Sequence, residues 1–445
     1  MSRLAIIGTG IAGMGSAHFL HRHHDLTIFE ANDHVGGSAR TVDTVEPGTL
    51  RPVPIDTGFM ACNEATCPLL TRLFAELQVP VKKTALSFAV RDDLTGLEWN
   101  NASLNHLFAR RKNLVNLRFL KLLAAVNRFN KEAIAALADP ASVEMTLGDY
   151  VRRRGYGEDL FNLHLAPLGS AVWSTPPELL LSFPAAGLLR FFHEHGFLGS
   201  SSRQTWLTVD GGSREYRDRL IAPFQHAIQT GRTAVRIIRN GPARGVTVIT
   251  AGGAAQTFDR VIVATHADQA LRLLVNPTPD EIRLLSEFKY QTCAATLHTD
   301  TSVLPRTPLA RAAWNCQLTR DTAGRLAPIT HYWMNKLQGV SDRENYIVSI
   351  NGSDAIDPAK IINRVDHARP LFSLGTARAQ RELPQLNAQA RGRTETYFAG
   401  GYFGLRSHED AFASAVQVSE LLLAGDPWTA AAAHPAPSVT MNTAG

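Results

Sequence analysis

The feature that most constrains the fold is a glycine-rich loop near the start of the chain. The sequence begins MSRLAIIGTGIAGMGSAHFL, in which Gly8, Gly10 and Gly13 separate a short apolar run from a helical pattern. We predict a strand before the loop and a helix after it. A second apolar strand, at 26–29, ends in Glu30. Strand, glycine turn, helix and a strand with a terminal acid together form a complete dinucleotide-binding fingerprint.

Each part of this fingerprint has its own expected role. Gly8 makes the tight turn, Gly10 lets the backbone approach a pyrophosphate, and Gly13 lets helix and strand pack closely. The amide groups at the helix N-terminus favour negative charge, and the carboxylate of Glu30 would accept hydrogen bonds from a ribose. Both NAD and FAD fit this pattern. The residues expected at this end of the cofactor are Gly8, Gly10, Ile11, Ala12, Gly13, Glu30 and Ala31.

Composition limits the class of protein. With 445 residues the chain is long enough for two domains, and its net charge of +5 favours an acidic substrate, a phosphate-bearing cofactor or an anionic surface rather than nucleic acid. The four cysteines have neither metal-ligand nor disulfide-scaffold spacing, which favours a reducing compartment. Because no apolar run reaches about 18 residues, we expect a cytoplasmic protein with at most peripheral contact with the inner membrane face.

Four stretches resemble the FAD segments of the amine oxidase, protoporphyrinogen oxidase and phytoene desaturase superfamily. EANDHVGGSART (30–41) is similar to its second glycine motif, with Ser38 where an arginine is usual and Arg40 as a substitute. The stretches 54–64, 234–271 and 394–423 are similar to its flavin-facing segment, central hairpin and last FAD segment. The further FAD contacts that the resemblance implies are Gly36, Gly37, Ser38, Arg40, Thr57, Gly58, Phe59, Val235, Gly400, Gly401, Glu409, Asp410, Ala411 and Phe412.

The resemblance also implies the fold and the mode of cofactor binding. More narrowly, the chain is similar to a bacterial family of NAD/FAD-binding amine-oxidase-like proteins. We expect an α/β protein with a Rossmann-like FAD-binding domain (1–64, 205–272, 391–425) and an interleaved α+β substrate domain (65–204, 273–390). We expect non-covalent FAD, since the superfamily's attaching cysteine is absent near 400–408. A flexible tail is expected over 426–445.

Two stretches of the substrate domain allow alternative interpretations. A helical lid is predicted over 103–139, where the segment 107–138 combines apolar periodicity with seven basic residues. It would present either a solvated face or a face that contacts an anionic membrane. The Leu- and Phe-rich stretch 174–199 would either fill the core or line an apolar tunnel. The segments CAATLHTD and ITHYWMNKLQ read as strands.

The chemistry predicted from these features is a flavin-dependent oxidation. The superfamily's amine oxidases usually place a lysine near flavin N5 on the strand corresponding to 290–300, but no lysine lies in 291–300. We therefore predict hydride transfer from an apolar small molecule to N5, with O2 or another acceptor reoxidising the flavin. An amine oxidase is one alternative, and a non-redox FAD-dependent isomerase or FAD-scaffolded protein is another. No metal site is predicted. The candidate proton-transfer groups are His195, His298, His331 and His408.

Overall fold

The computed structural model of the protein describes residues 1–139, 143–199, 204–241, 244–405 and 408–432. The strands are β1 Ser2–Ile7, β2 His24–Phe29, β3 Thr41–Val45, β4 Pro52–Asp56, β5 Val81–Thr84, β6 Phe88–Asp92, β7 Glu98–Asn100, β8 Trp206–Val209, β9 Ile228–Gln229, β10 Ala234–Arg239, β11 Val246–Thr250, β12 Ala255–Phe258, β13 Arg260–Val263, β14 Lys289–His298, β15 Trp314–Arg320, β16 Leu326–Trp333, β17 Ile347–Ile350, β18 Ile361–Leu371 and β19 Thr396–Phe398.

The helices lie between these strands or after the last of them. They are α1 Ile11–Leu20, α2 Pro68–Glu76, α3 Leu104–Leu107, α4 Leu117–Ala136, α5 Leu147–Arg154, α6 Glu158–Leu160, α7 Ala166–Trp173, α8 Pro177–Leu180, α9 Ala185–Glu194, α10 Arg214–Ile221, α11 Ala267–Leu273, α12 Pro279–Leu285, α13 Met334–Leu337, α14 Leu374–Ala388, α15 His408–Leu423 and α16 Pro427–Ala432. Helices α3 to α9 follow one another without a strand between them. Short 3₁₀ segments include Arg111–Val115, Ala222–Ala227 and Gly401–Phe403, and Phe161–Leu165 forms a π-helical turn.

The first of two compact units is built on a parallel sheet. It comprises residues 1–37 and 216–286 and the C-terminal part of the chain from 380 onward. Its five strands lie in the order β19-β13-β1-β2-β9, and all neighbouring pairs are parallel. The antiparallel sheet β10-β11-β12 belongs to the same unit. This arrangement confirms the Rossmann-like half of the predicted α/β fold.

Helix α1 is buried along its whole length because small residues let neighbouring elements approach it. A Cβ atom at Gly15 would lie 2.7 Å from the ring of Phe412 on α15. The rings of Phe19 and Phe412 stack with centroids 6.0 Å apart, and Trp428 packs edge-on against Phe19 at 4.9 Å. The predicted flexible tail is therefore wrong at its start, because α16 forms over 427–432 and Trp428 packs into the core. Residues 433–445 lie outside the described residues.

The second unit, 38–215 and 287–379, contains a mixed seven-stranded sheet. Its strands lie in the order β18-β14-β17-β16-β15-β6-β7, antiparallel except for the parallel pair β15 and β6. Helices α2 to α9, the hairpin β3–β4 and the antiparallel pair β5–β8 lie in the same unit. It matches the predicted α+β domain in architecture.

The boundaries between the units differ from those expected from sequence. Residues 38–64 belong to the second unit because Val53 and Ile55 of β4 are part of its core cluster. Residues 205–215 belong there too, since β8 pairs with β5. Conversely, 273–286 belong to the first unit, where Glu281 of α12 forms an ion pair with Arg239 at 2.6 Å. Residues 380–390 also belong to the first unit, where Asn387 bonds the backbone of Phe398.

Two local predictions also need correction. The helical lid over 103–139 is interrupted, with α3, the 3₁₀ segment 111–115 and α4 in succession. Helix α4 starts anew because the Asn116 side chain accepts a hydrogen bond from the Phe119 amide at 3.2 Å. In ITHYWMNKLQ the strand ends at Trp333, and the next four residues form α13. Within the described ranges no helix has the length and apolarity needed to cross a membrane.

Candidate functional site

The first glycine loop of the first unit has the shape of a phosphate-binding turn. A Cβ atom at Gly10, the N-cap of α1, would meet nothing within 4 Å. Gly8 has a φ of 101° and lies against the carbonyl oxygen of Ala264, which a Cβ atom would approach to 2.7 Å. At Gly13 a Cβ atom would lie 1.9 Å from the carbonyl oxygen of Gly8. Gly8 and Gly13 therefore serve packing, and Gly10 leaves space at a helix N-terminus that suits an anion.

The carboxylate of Glu30 joins the loops at this edge of the parallel sheet. One oxygen accepts hydrogen bonds from the backbone amide and the hydroxyl of Thr9, at 2.9 and 2.5 Å. The other accepts from the backbone and side-chain amides of Asn32, at 2.9 and 2.8 Å. A carboxylate offers about four lone-pair directions. The expected ribose contact would therefore require the side chain of Thr9 or Asn32 to turn away.

Thr9 also connects the two N-terminal glycine motifs. Its hydroxyl accepts a hydrogen bond from the Gly36 amide at 3.3 Å, and a Cβ atom at Gly37 would lie 3.2 Å from Cα of Gly10. Sequence reasoning missed Thr9 and Asn32, since both occupy positions at which the fingerprint allows any residue. They could have been found from the chemistry of Glu30, because a buried carboxylate needs hydrogen-bond donors close to it.

The hairpin β10–β11 continues the same region of the first unit. The backbone of Arg232 donates to the carbonyl of Glu30 at 2.8 Å, and that of Gly231 donates to the carbonyl of Asn32 at 2.8 Å. The register of β10 then shifts between Ala234 and Arg236. Val235 lies in this bulge, which takes its backbone out of the regular ladder. Its peptide groups are therefore suited to the adenine contact that the resemblance implies.

The last glycine pair is held by side chains of α14 and α15. The amide of Gly400 donates to the hydroxyl of Ser414 at 2.8 Å, and Gln380 donates to the carbonyl of Gly404 at 2.6 Å. The carboxyl group of Asp410 lies over Gly404, where a Cβ atom would come within 2.3 Å of it. Gly401 begins a 3₁₀ turn before α15. The first turn of α15 contains Glu409, Asp410 and Ala411, and Phe412 is fully buried.

In the second unit the predicted flavin-facing segment is a paired backbone. The amide of Phe59 donates to the carbonyl of Ser38 at 2.8 Å, and the amide of Thr57 donates to the carbonyl of Arg40 at 3.0 Å. A Cβ atom at Gly58 would lie 2.2 Å from the carbonyl oxygen of Ser38. A side chain at Gly58 would therefore separate the two segments.

The seven-stranded sheet has two chemically different faces. The first, which we call the Cys293 face, is apolar and is covered by Val53, Ile55, Met60 and Ala61. It includes Cys293, Ala295, Leu297, Tyr332 and Val348. Because side chains alternate along a strand, Thr296, His298, His331 and Ser349 point to the other side, which we call the Ser349 face.

The edge of the Cys293 face carries two buried polar atoms that sequence reasoning missed. On β18, His367 lies opposite Cys293 and Arg369 opposite Gln291. Nε2 of His367 and Nε of Arg369 have no hydrogen-bond partner among the described residues. Burial, followed by the charge of Arg369, lowers the pKa of His367 to about 4, against a hydrogen bond to the Thr57 backbone that raises it. In the sequence, the spacing of two residues between His367 and Arg369 indicates that both side chains point to one face of a strand. The polar residues next to them in the sequence hide this pattern.

The Ser349 face holds a chain of hydrogen bonds with one direction. The Asp300 amide donates to Nδ1 of His298 at 3.1 Å, so Nε2 of His298 carries the proton and donates to the Ser349 hydroxyl at 2.7 Å. The hydroxyl in turn donates to Nδ1 of His331 at 2.6 Å. Nε2 of His331 donates to Oε1 of Gln317 at 3.1 Å, since that oxygen can only accept. Burial lowers the pKa of His298 to about 4 and that of His331 to about 3.

Comparison with known proteins decides the family. Residues 11–423 match the model of the family described as flavin containing amine oxidoreductase. The chain belongs to this family. No curated protein matches the sequence.

The fold of this flavin-containing oxidoreductase is similar to that of several solved structures. A CLA-producing fatty acid isomerase from P. acnes is 16% identical with a TM-score of 0.66, over 95% of this chain and 98% of that chain. Cyclohexylamine oxidase from Brevibacterium oxydans is 17% identical with a TM-score of 0.65, over 95% and 99%. A putrescine oxidase structure is 13% identical with a TM-score of 0.65, over 95% and 99%. At these identities the likeness concerns the fold alone.

The cofactor of this oxidoreductase is FAD, bound non-covalently. The first unit fits it on three structural grounds: the open position at Gly10, the buried carboxylate of Glu30 and the bulge at Val235. In the oxidoreductase Gly10 and the N-terminus of α1 would hold the pyrophosphate. Gly400 and the start of α15 would lie near the other end of the cofactor, as the resemblance implies.

The four histidines selected from sequence lie in different environments. His298 and His331 share Ser349, and their ring nitrogens are all occupied, which supports a structural role. His195 lies elsewhere in the second unit, stacked on Phe191 with centroids 3.8 Å apart and with its pKa lowered by burial. His408 belongs to the first unit, where its Nε2 lies 2.7 Å from the Tyr216 hydroxyl. No group of three or more metal-ligating side chains occurs in the described part of the chain.

Replacing Gly10 by valine should remove FAD without disturbing the fold, because the new side chain extends into open space where the pyrophosphate is expected. The matched variant Gly13→Val should impair both FAD binding and folding, since its Cβ atom would overlap the Gly8 carbonyl. FAD per chain after gel filtration and the thermal midpoint of the apoproteins measure these effects. A Gly10→Val protein with wild-type FAD content would contradict this placement of the site.

Glu30→Gln should weaken FAD binding by about tenfold to a hundredfold, the equivalent of one lost charged hydrogen bond. Thr9 and Asn32 bond to different oxygens of Glu30, so the NH2 group that replaces one oxygen in glutamine would face a donor. Titration of apoprotein with FAD, followed by flavin fluorescence, gives the dissociation constant. Asp33→Asn, at a side chain that is 98% exposed, is the control and should bind FAD as the wild type does.

The Ser349 face should make stability depend on pH. Below pH 6.5 the two histidines take up protons in the unfolded chain, but in the folded protein they stay neutral until the pH approaches about 4. The contribution of His298 and His331 to the free energy of unfolding is therefore complete above pH 6.5 and is lost as the pH falls towards about 4. From pH 7 to pH 5 the wild type should lose about 2 kcal/mol more unfolding free energy than His298→Gln. Urea unfolding measures this, with exposed His226→Gln as control. Equal pH dependence of wild type and His298→Gln would refute the assignment.

Proposed function

We propose that this protein is an FAD-dependent dehydrogenase or oxidase. Its substrate would be an apolar small molecule with a carbonyl or carboxylate oxygen that can accept a hydrogen bond. The observation that carries the proposal is the pair His367 and Arg369 beside the apolar Cys293 face, where Nε2 of His367 and Nε of Arg369 are buried without a hydrogen-bond partner among the described residues. Buried polar groups without partners are costly, and a substrate that bonded to them would remove that cost. Apolar surroundings with a few polar groups are typical of small-molecule sites.

The protonation state of His367 suggests its part in the reaction. Its low pKa leaves the ring neutral at pH 7, and its interaction with the Thr57 backbone, which raises the pKa, would place the ring proton on Nδ1. Nε2 then has a free lone pair and would receive the proton that leaves the substrate. FAD, when bound, supplies the acceptor for the hydride that the substrate loses together with this proton. O2 or another acceptor takes up the two electrons in turn.

Arg369 would orient the substrate. Its Nε–H group can donate to a carbonyl or carboxylate oxygen, and the packed apolar side chains of the Cys293 face beside it would exclude water. A positive guanidinium also disfavours a protonated amine beside it. This argument ranks an amine substrate second, although the family is described by amine oxidation. A non-redox isomerase remains the third candidate.

The proposal is tested by anaerobic mixing of the holoprotein with fatty acids, cyclic lipids, terpenoid acids and simple amines while flavin absorbance is followed. We expect bleaching by an apolar compound that carries a carbonyl or carboxylate group. Bleaching by simple amines alone would select the amine oxidase. Conversion of a substrate into an isomer without net bleaching would select the isomerase.

His367→Gln should slow flavin reduction by about a hundredfold to ten-thousandfold, because it removes a proton acceptor, while FAD content stays unchanged. The matched control is Arg364→Gln, at an exposed side chain of β18 whose charge does not shift the pKa of His367, and it should reduce at the wild-type rate. Between about pH 5 and pH 7 the wild-type rate should show no ionisation of His367, since its pKa is about 4. An inflection near 6.5 that disappears in His367→Gln would contradict the assigned state of the ring.

A further inference from the structure

The surface formed by residues 104–121 exposes an unusual number of large apolar side chains. They lie on three successive elements of the second unit: α3, the 3₁₀ segment 111–115 and the start of α4. The exposed fractions are Leu104 77%, Leu114 53%, Val115 82%, Leu117 73% and Leu120 38%. Contiguous exposed apolar side chains indicate a surface that meets another apolar phase.

Helix α4 shows that these side chains are not simply a poorly packed core. Its inward face buries Phe119, Leu122 and Phe129, and it packs against α6 and α9. Leu117 and Leu120 lie outside that buried stripe. Phe119 at 1% and Leu120 at 38% exposure are adjacent in sequence, so the helix separates a core face from an outward face.

The charged side chains of the segment itself all have one sign. Between residues 99 and 131 the sequence contains no Asp or Glu, and its basic residues are Arg110, Arg111, Lys112, Arg118, Lys121, Arg128 and Lys131. Arg118 pairs with Asp159 and Arg128 with Glu132. Lys112 and Lys121 are exposed and have no ion pair among the described residues. The segment that exposes the leucine and valine side chains therefore also carries two cations, Lys112 and Lys121, that have no ion pair among the described residues.

Three kinds of partner could cover such a surface, and the observations favour one. A second copy of the chain would bring the same cations face to face, which opposes an isologous contact. A nucleic acid would neutralise the cations but leave the leucines in water. The interface of an anionic bilayer accepts both, with apolar side chains at the acyl boundary and cations among the headgroups.

We propose that the 104–121 surface docks the protein onto an anionic lipid bilayer. Leu114, Val115 and Leu117 enter the interface, and Lys112 and Lys121 contact the headgroups. The docking is peripheral and reversible. It rests on exposure and charge in α3 to α4 and does not depend on the proposed reaction.

The test is flotation of the purified holoprotein with vesicles of phosphatidylcholine alone or mixed with phosphatidylglycerol. The wild type should float with the mixed vesicles only, and added salt should weaken the association. Replacing Leu114, Val115 and Leu117 together by serine should lower the partition coefficient at least tenfold. Lys112→Gln and Lys121→Gln should each lower it about fivefold.

A control separates this surface from general hydrophobicity. Val45, Leu50 and Leu94, which are 56%, 89% and 61% exposed in the same unit, are replaced together by serine and should leave flotation unchanged. FAD content and the thermal midpoint verify that each variant folds. Equal flotation of both triple variants, equal binding to neutral vesicles, or no wild-type flotation would overturn the proposal. An oligomer that forms with rising protein concentration in the wild type, and is absent when Leu114, Val115 and Leu117 are replaced, would also overturn the proposal. It would show that a second copy of the chain covers this surface.

Discussion

The carboxylate of Glu30 is the point on which the dinucleotide-binding unit depends. Parallel strands β1 and β2 end at the same edge of their sheet, and the loops that follow them leave backbone amides and hydroxyls without partners. Glu30 accepts hydrogen bonds from Thr9 and Asn32, so both loops are fixed by one buried side chain. Thr9 extends the same network to Gly36. The glycine loops are therefore ordered by the chain itself, which reduces the entropy that a ligand must overcome.

The second unit shows that a shifted pKa does not by itself reveal function. Burial lowers the pKa of His298 and of His367 to about 4 in each case. Both ring nitrogens of His298 are bonded within the Ser349 face, whereas Nε2 of His367 has no partner among the described residues. The difference is hydrogen-bonding capacity rather than acidity. A closed network stabilises a core, and an open position at the end of a network is where a substrate can bond.

Local patterns predicted the elements that local physics determines. The strand, glycine loop and helix at the N-terminus follow from apolar periodicity and from the backbone freedom of Gly8, and the resemblance of distant segments identified FAD. Pairings over long sequence separations were not visible. His367 lies beside Cys293 only because β18 pairs with β14, and β4 belongs to the second unit only because Val53 and Ile55 pack on that sheet. The catalytic candidates selected from sequence were histidines in apolar stretches, and burial among apolar residues equally describes a structural histidine.

The contact between Gly13 and the Gly8 carbonyl links the stability of the folded chain to the availability of riboflavin, the precursor of FAD. The loop that would receive FAD is the same loop that packs α1 onto the parallel sheet, so bound cofactor adds directly to the free energy that resists unfolding. In a cell with ample riboflavin, newly made chains gain this protection as soon as they fold. When flavin is scarce, the unliganded chain opens more often, and proteases that act on opened chains remove it. Loss of FAD should therefore lower the amount of folded protein as well as its activity.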